Sequence, residues 1–178
     1  MPVLTPSRCA LVTLLALVGC SSSKTADSAT KPIDNPSTPV TAGGAVPASP
    51  KRGAVTFKLA GGDKTVKVEV VKSELAIQKG LMYRQYMAPD EGMLFLMGET
   101  KEQTFWMRNT LIPLDMLFIT ADFEVVGIVE SATPQTDDIR TVGKPSLYVL
   151  EMNGGWCKAN GVAAGAHVVF ADLEAAAR

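Results

Sequence analysis

A chain of 178 residues with 17 Lys and Arg against 18 Asp and Glu carries a formal charge of −1 at pH 7. That balance, with no basic run, excludes the electrostatic footprint of a nucleic-acid-binding protein. Three cysteines and one histidine are too few for a transition-metal centre. No phosphate-cradling glycine loop or nucleophile elbow is present either, so no metal and no cofactor are expected.

The first elements concern address. Arg8 supplies a short positive segment, and Cys9 to Val18 is an uncharged apolar run, too short to span a bilayer as a permanent helix. Leu17-Val18-Gly19-Cys20 follows and resembles the lipobox of bacterial lipoproteins. The resemblance implies a signal peptide over 1–19, cleavage before Cys20, and diacylglycerol on its sulfur. More than one acyl chain makes such anchoring stable. The next residue is Ser21 rather than Asp, which by the sorting pattern of lipoproteins favours the outer membrane if the host has two. The partner implied is thus the membrane itself.

Residues 20–52 read as a tether. Ser, Thr, Ala, Pro and Gly dominate it and no periodicity appears, so it cannot bury enough apolar surface to offset the entropy of ordering. Residues 53–178 have the length of one ordinary domain. Once Cys9 is removed and Cys20 lipidated, Cys157 is the one thiol left, so no internal disulfide is expected.

Within that domain, Ala54–Leu59 alternates weakly and Gly61-Gly62-Asp63 reads as a turn. Thr65–Lys72 alternates cleanly, with Val66, Val68 and Val70 on one face, which predicts a hairpin. Ser73 caps a short helix over Glu74–Lys79, and Gly80 closes it. Pro89-Asp90-Glu91-Gly92 is a turn, Met93–Met97 a short strand and Gln103–Met107 another. Pro113 interrupts, Leu114–Thr120 starts afresh, and Glu124–Glu130 pairs back after a turn at Ala121-Asp122. Thr133–Ser146 is a long polar loop. Leu147–Met152 is a strand, Gly155–Asn160 a short helix, His167–Phe170 a last strand and Asp172–Ala177 a helical tail. Short, closely spaced strands without βαβ alternation predict a mainly β (α+β) fold: a small barrel-like rolled antiparallel sheet with one or two short helices.

Three blocks carry a further resemblance. They are Gly80-Leu81-Met82-Tyr83-Arg84 with Asp90-Glu91-Gly92-Met93-Leu94-Phe95, then Phe105-Trp106-Met107-Arg108-Asn109-Thr110 with Ile112-Pro113-Leu114-Asp115, then Leu150-Glu151-Met152-Asn153-Gly154. From about Val66 to Phe170 the chain resembles the domain of unknown function 192 family. The resemblance implies a compact, barrel-like, mainly β fold and no established activity. The chain departs from the family's usual pattern at Gly165-Ala166-His167 and in the 133–145 loop, which has no Pro-Cys-Pro-like segment.

The candidate site residues are Arg84, Glu91, Trp106, Arg108, Asn109, Asp115 and Glu151. Asp115 shares a strand face with Leu117 and Ile119, so its carboxylate needs a partner. Arg84 and Arg108 are the natural ones. Such a carboxylate is either a ligand-binding or acid/base group or half of a structural ion pair. Asp115, Glu91 and Glu151 together supply the pair that glycoside hydrolysis needs, roughly 5–10 Å apart across a cleft, or are merely solvated and capping. Trp106, Phe105 and Tyr83 make either an aromatic platform or core, and Asn109 either a ligand donor or a turn residue. Cys157 with His167 matches no local nucleophile–base signature, and the methionine set suits core packing better than copper(I).

The expectation is a lipid-anchored envelope domain that binds an extracytoplasmic saccharide, peptide or protein without catalysis. The alternatives are an envelope hydrolase with paired carboxylates and a purely structural module.

Overall fold

The computed structural model describes residues 51–173. The expected signal peptide, Cys20, the expected tether as far as residue 50 and most of the expected helical tail, beyond Leu173, lie outside the described residues.

Seven strands and two short helices follow one another as β1 Lys51–Lys58, β2 Lys64–Val71, α1 Glu74–Lys79, β3 Glu91–Glu102, β4 Leu114–Ile119, β5 Val125–Ala132, β6 Pro145–Asn153, α2 Trp156–Asn160 and β7 His167–Ala171. They form one sheet in the order β5-β4-β6-β3-β2-β1-β7. The sheet curls until its two ends meet. Val125 N–H donates to Ala166 O (2.9 Å), Gly165 N–H to Val125 O (2.8 Å) and Val168 N–H to Phe123 O (2.9 Å). The mainly β, rolled architecture expected from the strand spacing is therefore found.

One pairing differs from expectation. β2 and β3 run parallel, so β2–α1–β3 is a single βαβ unit in an otherwise antiparallel sheet. Its helix has only six residues, with no buried side chain, and so leaves no apolar stripe in the sequence from which a crossover can be read. Ser73 caps α1 through its Oγ, which accepts from Ala76 N–H, and Gly80 closes it at φ 44°.

The second difference is the 103–107 segment. It makes one bridge, Phe105 to Arg140, and otherwise belongs to a loop packed against the long 133–146 connection. The Gln103 amide donates to the carbonyls of Glu99 and Ser146, and Met107 N–H donates to Thr136 O. These bonds hold the backbone in place without a neighbouring strand, so the apolar alternation is spent on packing a loop.

The alternation of each strand assigns its side chains to two cores. Val55, Phe57, Val66, Val68, Leu117, Ile119, Leu150 and Met152 pack with Trp156 and Cys157 in the first. The opposite face of β3, β6 and β4 carries Met93, Phe95, Met116, Phe118 and Val149. It is covered by Leu81 and Met87 from the α1–β3 connection and by Met107 from the β3–β4 connection. Every residue of β4 is consequently buried. Four of the methionines, Met87, Met93, Met107 and Met116, fill this second core, where an unbranched thioether adapts to an irregular gap.

Candidate functional site

Asp115 lies on the first-core face of β4 at 0 % exposure. Neither arginine reaches it. Its Oδ1 accepts from Ser131 N–H (2.8 Å) and Gly155 N–H (2.9 Å), and its Oδ2 from Cys157 N–H (2.8 Å). The expected Asp115–Arg pair is therefore corrected to a carboxylate held by three backbone donors. The local cause is legible. Between Leu114–Ala132 and Met116–Val129 the β4–β5 register shifts, with one more residue on β5 than on β4. Ser131, at φ 45°, turns its N–H out of the ladder toward the carboxylate. Gly155 brings no side-chain cap to α2, and the same carboxylate takes that helix's first free donors. Asp115 thus ties three segments together, which takes it out of any cleft.

The two arginines are engaged elsewhere. Arg84 makes a bidentate pair with Glu69, Nη1 to Oε1 at 2.6 Å and Nη2 to Oε2 at 2.5 Å, which holds the Glu69 carboxyl below the usual carboxylate range. Glu91 lies beside this pair, in a depression also lined by Arg52 and Lys67. Arg108 lies over the Trp106 ring, its guanidinium carbon 4.4 Å from the centroid. The same guanidinium donates to Asp137 (2.7 Å) and holds that carboxyl low.

Glu151 is the residue whose surroundings stand out. On β6 it faces away from Asp115. Asp115 registers with Met152, whereas Glu151 registers with Met116 and Met93, so the sheet separates the two carboxyls. Glu151 is 4 % exposed. Among the described residues no group donates a hydrogen bond to its carboxyl or forms an ion pair with it. Burial alone pushes its pKa up to about 8.

It lines a small cavity with Leu81, Phe95, Phe105, Trp106 and Thr110, roofed by α1 at Ile77, Gln78 and Lys79. A wider apolar groove of ≈ 330 Å³ continues past the same Ile77, Gln78, Phe105 and Trp106 to Met97, Thr104 and Ile139. Trp106 is 45 % exposed and Ile139 is 70 % exposed. Phe105 packs edge-on against Phe95 and Phe118, with centroids 5.1 and 6.2 Å away, which fixes the wall.

The two loops bounding the cavity are held in strained backbone. Tyr83 and Asn109 both adopt positive φ, 65° and 56°, a region that costs a non-glycine residue free energy. Tyr83 N–H donates to Asn109 O at 2.8 Å, and the Asn109 amide lies 3.9 Å from Met82 Sδ. Asn109 therefore performs the turn role. The Asn153 amide secures the same region from the sheet side by donating to the carbonyls of Met87 and Ala88.

Of the seven candidates, Trp106 and Glu151 line one cavity, while Arg108 stacks on the Trp106 ring and Asn109 contacts Tyr83 and Met82. Arg84 and Glu91 lie together at another place, and Asp115 lies beneath the sheet. Phe95, Gln78 and Ile139 were not among the candidates, whereas Thr110, which the sequence offers beside Asn109 as a polar group next to the platform, does line the cavity. The near-continuous apolar run Leu147–Met152 carries the signal that flags Glu151, because a strand apolar on both faces has both faces covered. Cys157 is fully buried, and burial raises its pKa, with the Asp115 charge adding to the effect, so its thiol is unreactive. His167 is exposed on β7. Among the described residues no three His, Cys, Asp or Glu side chains converge on a metal position.

No curated protein matches the chain. Five chains among the solved structures match it, two crystal structures among them. One, from Sinorhizobium meliloti 1021, is provisionally named a transcription regulator. It shares 41% identity and a TM-score of 0.67, over 70% of this chain and 98% of that one. The other is a protein of unknown function from Novosphingobium aromaticivorans DSM 12444. It shares 36% identity and a TM-score of 0.63, over 65% of this chain and 83% of that one. Residues 55–170 match the profile of the family described as Uncharacterized ACR, domain of unknown function 192. Since that span reaches from the middle of β1 to the penultimate residue of β7 and includes every block quoted above, the chain belongs to the domain of unknown function 192 family.

Proposed function

We propose that the protein is a non-catalytic binding domain, held at the cell envelope by lipid on Cys20, that takes its ligand in the cleft between α1 and Phe105–Trp106. The observation that carries this reading is Glu151, an unpartnered buried carboxyl at the foot of an aromatic-walled cleft whose outer wall, Trp106, is open to solvent. Binding sites combine apolar walls with a few convergent polar groups in this way.

The hydrolase reading has less support. Its chemistry needs two carboxyls across one cleft, whereas Glu151 is the only acidic residue among those lining the cavity, and Asp115 and Glu91 lie elsewhere. The regulator name borne by the Sinorhizobium protein suggests DNA as a ligand. The formal charge of −1 on this chain runs against that reading.

Two measurements test the proposal. Fractionation of cells expressing the full chain is expected to place it with membranes, and Cys20→Ser to release it to the soluble fraction. Membrane recovery unchanged by Cys20→Ser removes the anchor from the reading. For binding, saccharides and short peptides are screened by tryptophan fluorescence. Trp106→Ala is expected to weaken any hit about tenfold or more, read by calorimetry because the reporter itself is removed. It is also expected to lower the unfolding free energy by about 2–3 kcal/mol, because just over half of this side chain is buried. A hit that survives Trp106→Ala with unchanged affinity binds at another place.

A further inference from the structure

Resting on the binding reading above, we propose that the ligand group seated at Glu151 is a primary alkylammonium, with its hydrocarbon stem lying in the apolar groove toward Ile139. Four observations carry this. The first is size. The cavity beside Glu151 measures ≈ 30 Å³, room for about two water-sized groups. A –CH2–NH3+ head suits so small a space better than the bulk of a sugar ring or a trimethylammonium.

The second is charge. Glu151 has no partner within the described chain. A cation with N–H donors supplies such a carboxylate with both the charge and the hydrogen bonds it lacks. The third is the wall. Phe95, Phe105 and Trp106 line the cavity, and aromatic rings attract a desolvated cation. Trp106 already holds a cation on its ring, the Arg108 guanidinium. The fourth is the groove beyond, ≈ 330 Å³ and lined by Ile77, Met97, Phe105, Trp106 and Ile139. Four or five methylenes leaving the cavity meet apolar surface there.

The charged group facing the cavity from α1 is Lys79, which is exposed and stands at the mouth. The proton balance is simple. An ammonium entering as R–NH3+ pairs with Glu151 after the protonated carboxyl has released its proton to solvent. Each binding event near neutral pH therefore liberates about one proton.

A primary alkylammonium can come from a lysine side chain of a peptide or from a free amine, and the probes separate the two. The full chain is titrated calorimetrically at pH 6.5, in two buffers of different ionisation enthalpy, with n-butylammonium chloride, Nα-acetyl-lysine-N-methylamide, n-butanol and N-acetylglucosamine. The expected result is saturable binding of both amines, release of about one proton per ligand, and no comparable binding of butanol. Glu151→Gln is expected to weaken the amines about tenfold or more and to abolish proton release. Lysine amide binding about tenfold tighter than butylammonium identifies a peptide source, and equal binding identifies the free amine.

Butanol binding as tightly as butylammonium, or amine binding indifferent to Glu151→Gln, overturns the inference. If N-acetylglucosamine alone binds, the binding reading stands and the ammonium inference falls. If none of the four binds, the ammonium inference falls, and the binding reading then rests on the wider screen alone.

Discussion

Replacing Asp115 with Asn is expected to lower the unfolding free energy by about 3–5 kcal/mol at neutral pH, measured by urea denaturation of the full chain. The carboxylate accepts three backbone N–H groups across its two oxygens at 2.8–2.9 Å and is sealed from solvent. An Asn side chain keeps one acceptor but turns its NH2 toward a donor. One buried N–H then loses its partner and the remaining bonds lose their charge assistance, at roughly 1.5–3 kcal/mol for each bond to a charged group. The loss corresponds to a drop in Tm of about 10–20 °C for a domain of this size.

Three segments loosen together: the β5 bulge at Ser131, the start of α2, and β4 itself. A cost below about 1 kcal/mol sinks the assignment of Asp115 as the anchor of these segments. A loss of the expected size also counts against the hydrolase reading from another direction, because a carboxylate sealed from solvent and committed to three backbone donors cannot reach a substrate.

The second large effect belongs to Glu151 and has the opposite sign. Burial raises its pKa to about 8 from an ordinary value near 4.5. Between those values the folded protein holds a proton that the unfolded chain has released. Stability must therefore fall as pH rises from about 4.5 to about 8, and level off above that. The full difference is on the order of 3–5 kcal/mol.

Glu151→Gln removes the titration. The variant is expected to match the parent near pH 5 and to exceed its stability by a few kcal/mol at pH 8.5, read as a difference between two urea midpoint curves. The low-lying carboxyls of Glu69, Asp90 and Asp137 act at the acid end, where they lower the stability of both proteins alike. A parallel pair of curves from pH 5 to 8.5 shows that Glu151 is ionised in the free protein and has a partner.

A group kept at such a cost to stability at the foot of a cleft is the signature expected of a site rather than of a core. The contrast with Asp115 makes the point within one sheet. Both carboxyls lie on central strands, and both are at most 4 % exposed. One has three donors and holds the fold together. The other has none among the described residues, and under the proposed reading its partner comes from a ligand. Removing the first destabilises the protein, whereas neutralising the second stabilises it.

Much of the architecture is legible along the chain. Val66-Lys67-Val68-Glu69-Val70 declares a strand and its buried face, and the observed burial follows it. Ser73 and Gly80 mark the ends of α1. Pro113 separates the 103–112 loop from β4, and the family blocks coincide with the residues that join the sheet to its covering loops. Gly92 shows how strict these joins are. A methyl group there would come within 2.6 Å of the Glu151 carbonyl oxygen. Gly154 stands similarly, with a methyl group reaching 2.9 Å from Pro113. Such positions admit no side chain at all.

What the sequence determined by itself is therefore the local part: strand periodicity, turns, caps and family membership, all set by residues within a few positions of one another. The tertiary structure alone decided which charges meet. Arg84 finds Glu69 across 15 positions and Arg108 finds Asp137 across 29, and no spacing in the chain encodes either pairing. It also decided that β2 and β3 run parallel and that Asp115 and Glu151 point to opposite faces of one sheet. Those outcomes depend on strand register and on which loop covers which face. They are fixed only when distant segments compete to bury the same apolar surface.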